Sequence, residues 1–205
     1  MAHQNQQQHR CKRPTPYLII TNISKRQNVK NLLQIAAAYG CHDIFIVGQR
    51  AFEFDPDAEG GTDIPPQIQN GVRSGKMRIT KFDKLEECVE HIKSIPCCDE
   101  MAEVADASIN ATTNHNTAIP IIGVEIDDKS VNLEEEPFTT STAFMMGNEG
   151  DGMSAKQMAS CDGFLRISQF GGGTASLNVS VAAGLVLHRF FHWSRGDEVR
   201  RYCDD

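Results

Sequence analysis

Long apolar runs are absent from this chain of 205 residues, although 40% of its residues are hydrophobic. No run approaches the roughly 18–20 apolar residues that a membrane-spanning helix needs, so the sequence predicts no transmembrane segment. The N-terminal residues, MAHQNQQQHRCKR, are polar and lack the apolar stretch of a secretory signal. We therefore expect a cytoplasmic or nuclear protein that is not secreted.

Paired cysteines are absent as well. The seven cysteines are an odd number and include no Cys-x-x-Cys pair, so neither a disulfide framework nor a zinc site with the usual ligand spacing is indicated. Because no secretory signal is present, reduced thiols in a reducing compartment are the expected state. The sequence predicts no metal centre.

Basic residues are scarce overall, and the net charge is −7. This balance disfavours a protein whose whole surface is basic for binding nucleic acid. The distribution is uneven, because residues 1–81 hold 11 Lys and Arg against 6 Asp and Glu, whereas residues 82–205 hold 9 against 21. The asymmetry indicates either an ordinary solvated surface or a basic region in the first 81 residues that contacts an anionic partner.

Short apolar runs alternate with helical patterns along the chain, which is the rhythm of a parallel α/β sheet. In residues 28–39 the apolar side chains recur at helical spacing, and Gly40 stands where a helix would end. Strands are predicted at 17–21, 44–48, 77–82, 120–126, 142–147 and 164–167. Further helices are predicted at 84–94, 154–160 and 176–193, with an irregular loop at 55–76.

One domain is predicted for residues 17–205, because a chain of this length forms one core by default. Residues 1–16 are rich in Gln, His and Pro and predict a mobile tail, and the polar residues near 97–118 predict an insertion. The helix at 176–193 is hydrophobic on nearly every side, so we expect it to be packed deep in the domain.

Two glycine-rich segments follow predicted strands. MMGNEGDGMS (145–154) carries Asn148 and Glu149, and ISQFGGGTASLNVSVAAG (167–184) runs into the last helix. Glycines let the backbone approach a ligand closely, and open α/β sheets bind ligands at the carboxyl ends of their strands. The segments match neither a P-loop nor a dinucleotide-binding G-x-G-x-x-G. They predict a site of another geometry, with simple tight turns as the alternative.

These two segments, together with NVKNLLQIAAAYG (28–40), resemble the three ordered motifs of the SpoU (TrmH-like) RNA 2′-O-ribose methyltransferases, within the SPOUT superfamily. The resemblance implies a mostly parallel sheet flanked by helices, with a C-terminal deep trefoil knot that binds S-adenosylmethionine. It also implies a homodimer that assembles through the knot region and acts on tRNA or rRNA, with no DNA or membrane partner.

Site residues follow from the resemblance by position. The implied cofactor contacts are Gly147, Ile167, Ser176 and Leu177. The implied polar active-site residues are Asn28, Glu149, Ser176 and Asn178. In this family the ribose 2′-OH loses its proton while it attacks the sulfonium methyl group, so the enzyme must supply proximity, alignment and a base. Ser176 and Asn178 are expected to orient the ribose and the helix start, and Glu149 to brace the glycine turn.

The chain departs from the family at Gln34, which stands at the catalytic position where active members carry an arginine, six residues after Asn28. Glutamine carries no charge and is not a useful base. Because Lys30 lies one helical turn earlier on the same face, we hypothesise that Lys30 or Arg26 supplies the missing charge. Lys30, Arg26 and Arg50 are also the cations that we expect to bind RNA.

The sequence thus favours an S-adenosylmethionine-dependent RNA 2′-O-methyltransferase, and two alternatives stay open. Gln34 and the acidic net charge favour a catalytically weakened or silent homodimer of the same fold that binds RNA or protein. The other alternative is a metabolite-binding α/β protein that has no role in RNA.

Overall fold

Seven short strands form one sheet in the computed structural model, which describes residues 13–96, 118–148, 150–171 and 176–196. The strands are β1 (Pro16–Thr21), β2 (Asp43–Val47), β3 (Arg78–Phe82), β4 (Ile121–Val124), β5 (Val131–Asn132), β6 (Thr142–Met146) and β7 (Gly163–Arg166). Neighbouring strands are parallel throughout, in the order β3-β2-β1-β6-β4-β7-β5. Because parallel strands need crossover connections, which are usually helical, this sheet confirms the predicted α/β class.

Helices cover both faces of the sheet. They are α1 (Arg26–Ala38), α2 (Pro66–Arg73), α3 (Leu85–Ser94), α4 (Ala155–Ala159) and α5 (Val179–Ser194), with a 3-10 turn at Leu133–Glu135. Successive side chains of a strand point to opposite faces. Leu18 and Ile20 of β1 therefore pack in one core with α1 and α5, whereas Ile19 packs in a second core with α3. The described residues form a three-layer α/β/α arrangement.

The first helix, α1, forms where the sequence predicts it. Its apolar stripe, which contains Val29 and Leu33, is fully buried and packs in the same core as β1 and α5. The helix ends at Ala38 because Gly40 adopts a φ of +73°, which side chains disfavour, and the Cys41 N–H donates to the Ala36 carbonyl at 2.9 Å.

Two short elements lie where no strand or helix was predicted. The prediction of an irregular loop over 55–76 is wrong for the residues of α2. Pro66 lies in the first turn of this helix, where proline is well tolerated, and Ile68 and Val72, one turn apart, pack on the core. The strand β5 has two residues, which are too few to show a period in the sequence.

The last helix, α5, is not buried on every side, so that prediction is wrong. Val181 and Leu185 are 51% and 42% exposed, whereas Ala183 and Leu187 are fully buried. The buried side chains pack with α1 and β1, which lie on one side of the helix. An apolar strip along α5 therefore stays open to solvent in the single chain.

Some predictions concern residues outside the described ranges. These are residues 1–12 of the predicted tail, almost all of the insertion at 97–118, and Glu149. Pro16 already belongs to β1, and the Thr15 N–H donates to the Ser141 hydroxyl at 2.9 Å. The trefoil knot stays a prediction. Within the described residues, no helix has the length and apolar character that crossing a membrane requires.

Candidate active site

A cleft opens at the carboxyl ends of three neighbouring strands, β6, β4 and β7. Its volume is about 420 Å³, which falls within the roughly 300–1,000 Å³ of small-molecule sites. The lining follows these three strands and leads into α5, and it includes residues 124–126, 146–148, 150–152, 166, 167, 169, 176 and 177. Open parallel sheets bind ligands at this edge.

All four residues predicted as cofactor contacts line this cleft. Gly147 follows β6, Ile167 follows β7, and Ser176 and Leu177 precede α5. Ser176 is exposed and Leu177 is half-buried, so the end of the lining next to α5 presents both a hydroxyl and an apolar side chain. The second and third motifs of the sequence therefore meet in one cavity.

The chain after β6 forms a tight turn between Asn148 and Gly152. The backbone N–H of each residue donates to the carbonyl of the other, at 3.0 and 3.2 Å, and the Asn148 side-chain oxygen accepts from the Gly150 N–H at 2.9 Å. The Asn148 side-chain nitrogen donates to the carbonyl of Asn22, just after β1. This turn is therefore fixed to the end of the neighbouring strand.

Glu125 supports the same turn from the other side, a role that the sequence did not reveal. One carboxylate oxygen accepts from the Met153 N–H at 2.8 Å, and the other accepts from the Ile126 N–H at 2.9 Å. Gly152 has a φ of +68°, and a Cβ there would lie 2.6 Å from the carboxylate, so both backbone and space require glycine. The available signal was an acidic residue directly after an apolar strand, at the edge where ligands bind.

Asn28 and Asn178 come together although they lie 150 positions apart. The side-chain nitrogen of Asn178 donates to the side-chain oxygen of Asn28 at 3.3 Å. The oxygen of Asn178 caps α5 by accepting from the Ser180 N–H at 2.9 Å. Asn28 itself is 5% exposed. The pair therefore connects the first motif, in α1, to the third motif, at the start of α5.

Gln34 lies in a shallow depression between α1 and α5, and not in the cleft lining. Its side-chain nitrogen donates to the side-chain oxygen of Gln67 at 3.3 Å, and Val181 lines the same depression. Lys30, one helical turn earlier, is half-buried. Among the residues that the structure describes, Lys30 forms no salt bridge, but its charge helps to lower the pKa of Asp63.

Arg26, which was predicted to contact RNA, is bound within the protein. Its guanidinium donates to both carboxylate oxygens of Asp63 and to the Ala51 carbonyl, and lies over the ring of Phe52 at 4.9 Å. Burial alone would raise the pKa of Asp63, but hydrogen bonds from the Glu53 N–H and from Arg26 outweigh burial and hold this pKa below its ordinary value. Arg26 therefore anchors the loop after β2 to the start of α1.

Arg50 is more accessible than Arg26. Its side chain is 81% exposed, and its guanidinium lies 3.4 Å from the carboxylate of Asp83, which is also well exposed. Arg50 and Lys81 both line a second depression, which lies at the ends of β2 and β3. Because so exposed a pair contributes little to stability, Arg50 can exchange Asp83 for another anion at small cost.

The fold and the cleft define an α/β domain with a small-molecule site at its strand ends. The sequence profile of the SpoU rRNA Methylase family matches residues 15–188, and the chain belongs to this family. The match confirms the resemblance that the three motifs indicated.

Two relatives show how the similarity is distributed. Over 175 residues the chain is 22% identical to the 23S rRNA (guanosine-2′-O-)-methyltransferase RlmB of Acinetobacter baylyi. This alignment covers 83% of the chain and 57% of that protein. Over 58 residues it is 45% identical to the human rRNA methyltransferase 1, mitochondrial, and this alignment covers 27% of the chain and 16% of that protein. The chain thus spans just over half the length of the first relative and far less of the second.

Solved structures share the fold. The A. aeolicus TrmH/SpoU tRNA modifying enzyme matches with a TM-score of 0.63 at 20% identity, over 92% of this chain and 79% of that one. The SpoU methyltransferase AviRb from Streptomyces viridochromogenes, solved in complex with AdoMet, matches with a TM-score of 0.60 at 17% identity, over 89% and 58%. At these identities the likeness shows the fold alone.

The first prediction concerns the Arg26 anchor. We expect Arg26→Ala to lower the free energy of unfolding near neutral pH by about 1–3 kcal/mol, because the buried Asp63 carboxylate loses its cation. Since the folded-state pKa of Asp63 is lowered, this stabilisation is present above its unfolded pKa of about 3.9 and is lost as the pH falls through the folded-state value. Urea unfolding at neutral and acidic pH measures both effects. Equal losses of unfolding free energy in Arg26→Ala and in the matched variant Lys25→Ala would contradict the anchoring role of Arg26.

The second prediction concerns Glu125. In Glu125→Gln one acceptor becomes an NH₂ group that faces a backbone N–H, so we expect a loss of about 1–3 kcal/mol in unfolding free energy. Amide hydrogen exchange locates the effect, because the N–H groups of Gly152 and Met153 should lose protection first. Glu90→Gln, on the exposed face of α3, is the control. Unchanged protection at Met153 in the Glu125 variant would show that the carboxylate does not support the turn.

Proposed function

We propose that this chain is an S-adenosylmethionine-dependent methyltransferase that acts on a ribose 2′-OH of tRNA or rRNA. The observation that carries the proposal is the cleft, because the four residues expected from the cofactor motifs line one cavity. Membership of the SpoU family supports the reaction. Relatives named as guanosine 2′-O-methyltransferases of 23S rRNA and of tRNA support the substrate class.

The cleft suits an amphipathic cation of the cofactor's chemistry. Val124, Ile167 and Leu177 offer apolar surface for an aromatic base. Glu125 and Asp151 place carboxylates on the lining, where they favour positive charge and accept hydrogen bonds from hydroxyl groups. When bound, the cofactor supplies an electrophilic methyl group on a sulfonium centre. The described lining therefore offers both the apolar and the anionic groups that such a ligand needs.

In this proposal, polar side chains at the starts of α1 and α5 position the acceptor. The hydrogen bond between Asn28 and Asn178 holds the two helix starts together, so the amides there are oriented before RNA binds. Ser176, exposed on the cleft lining, exchanges a hydrogen bond with the incoming ribose. Glu149 braces the turn after β6. Alignment of the 2′-OH with the methyl group then supplies a large part of the rate enhancement.

Lys30 supplies the positive charge that Gln34 lacks. Of the two cations expected to supply this charge, Arg26 is held by Asp63, whereas Lys30 forms no salt bridge within the described residues, although its charge also helps to lower the pKa of Asp63. Lys30 and Arg50 therefore bind RNA phosphates in this proposal, and Arg26 keeps the neighbouring loop in place. A cation one helical turn from Gln34 can supply the charge of the family arginine but not its geometry, since lysine lacks the planar guanidinium group of arginine.

A second candidate function follows from Gln34. Its exposed amide is uncharged and faces the depression between α1 and α5, so it cannot do the work of an arginine there. This observation favours a silent member of the family that binds RNA without methylating it. The two functions share the fold and differ only in methyl transfer.

The third prediction tests the methyltransferase directly. The purified protein should bind S-adenosylmethionine with a dissociation constant on the order of micromolar, about −8 kcal/mol. It should transfer labelled methyl groups to unmodified tRNA or rRNA and yield alkali-resistant 2′-O-methylated linkages. Lys30→Ala should lower methyl transfer by about 10- to 100-fold without lowering the affinity for the cofactor. The control Lys25→Ala should change neither the transfer rate nor the cofactor affinity.

The outcomes of this experiment separate the candidates. Cofactor binding without transfer to RNA, with transfer restored by Gln34→Arg, would favour the silent family member. No cofactor binding up to about 1 mM, near −4 kcal/mol, would contradict the methyltransferase. Normal transfer by Lys30→Ala would contradict only the role of Lys30.

The fourth prediction concerns assembly. We propose a homodimer through the knot region, of which α5 is the last helix, because Val181 and Leu185 expose an apolar strip beside Ile35 of α1. Leu185→Glu should shift sedimentation from dimer to monomer, since it places a charge in the interface. The control Ala155→Glu puts the same charge on the exposed side of α4. A wild-type protein that sediments as a monomer would contradict the dimer.

A further inference from the structure

Phe170 is almost wholly exposed. Its accessible fraction is 96%, the highest among the exposed large hydrophobic residues that the structure describes. The preceding residue, Gln169, lines the cleft, so the exposed ring belongs to the residue next to the cleft lining. Ile126, which is 58% exposed, lines the same cleft from the end of β4. One uncovered apolar side chain thus lines the cleft and a second belongs to a residue next to the lining, and uncovered apolar groups near a cleft are typical of a binding surface.

A cluster of aromatic side chains around α5 packs in the core. Phe190 is fully buried, and its ring lies 5.2 Å from that of Phe138 and 5.3 Å from that of Trp193. These rings stabilise the packing of α5, and the buried rings of Phe138 and Phe190 are closed to a ligand. Among the described aromatic side chains near the cleft, Phe170 is the one whose faces are open to solvent.

We propose that Phe170 stacks on an unpaired nucleobase of the RNA substrate at the mouth of the cleft. The inference rests on the proposed function, because a ribose whose 2′-OH enters the cleft brings its own base or a neighbouring base to the opening. Proteins bind the bases of single-stranded RNA by stacking them on aromatic rings, whereas bases inside a duplex are already stacked on one another. The substrate class is therefore an unpaired segment, such as a loop, a bulge or an end.

The charges around the cleft also favour stacking over phosphate binding there. Glu125 and Asp151 line the cleft, and the Nε of Arg166 already donates to the Asn132 side chain at 2.9 Å. Arg50 lies at the end of β2, on the far side of β1 from the cleft. Base stacking and phosphate contact are thus assigned to separate residues, and their effects on RNA binding should be separable.

The fifth prediction tests the stacking contact through RNA binding, which does not depend on catalysis. Single-stranded poly(A) and the poly(A)·poly(U) duplex are titrated into the wild type, Phe170→Ala and Phe170→Trp. The wild type should prefer the single strand. Phe170→Ala should bind the single strand about 5- to 100-fold more weakly, since a stacked base contributes roughly that factor, and Phe170→Trp should restore binding.

Salt dependence distinguishes stacking from charge. The affinity of phosphate contacts falls with salt in proportion to their number. Phe170→Ala should therefore weaken binding at every salt concentration without changing the slope of log affinity against log salt, whereas the control Arg50→Ala should reduce that slope. A changed slope in Phe170→Ala would show that the variant disturbs phosphate contacts and would overturn the stacking role.

Three further outcomes have distinct meanings. Unchanged affinity of Phe170→Ala for the single strand would overturn the inference, even if the wild type methylates RNA. A shift of Phe170→Ala from dimer to monomer in sedimentation would also overturn it, because Phe170 would then contact a second copy of the chain. If the wild type neither binds RNA nor transfers methyl groups to it, the proposed function itself fails.

Discussion

Two hydrogen bonds to the carboxylate of Glu125 fix the shape of the cleft. They come from the backbone of Ile126 and of Met153, so they tie the end of β4 to the turn that follows β6. Gly152 packs against the same carboxylate, and Asn148 joins the turn to the end of β1 through the carbonyl of Asn22. Glu125 and Asn148 thus connect three strand ends, and the cleft wall that they support includes three glycines, Gly147, Gly150 and Gly152, which contribute only backbone. A backbone wall keeps its shape when no ligand is bound, which is the condition for a pre-organised site.

A second linkage does the same for the helices. Asn178 caps α5 and reaches Asn28 in α1, so the two helices begin from a common polar junction above the same face of the sheet. The third motif supplies both this junction and six residues of the cleft lining, among them Ser176 and Leu177. The place where a cofactor would bind and the place where an acceptor would be oriented are therefore parts of one continuous segment.

The sequence predicted most of the regular fold because apolar periodicity is a local property. The runs that became β1 and α1 show their period within a few residues, and glycine at position 40 marks the end of the helix. Four residues were predicted as cofactor contacts from the family motifs, and the structure brings these residues into one cleft. The role of Glu125 was missed because it depends on Met153, 28 positions away, and that of Arg26 because it depends on Asp63, 37 positions away. Such partnerships are created by the tertiary fold, and no local pattern encodes them.

The salt bridge between Arg26 and Asp63 has a consequence for how the protein would encounter the RNA that we propose as its substrate. A chain with a net charge of −7 that neutralises one of its few cations near the first motif exerts little long-range attraction on a polyanion. In the proposed function, association with RNA would then depend little on electrostatic steering, and discrimination between RNAs would depend on the lifetime of each complex. In that function, an RNA whose shape fits the surface around the cleft would stay bound longer than one that does not fit.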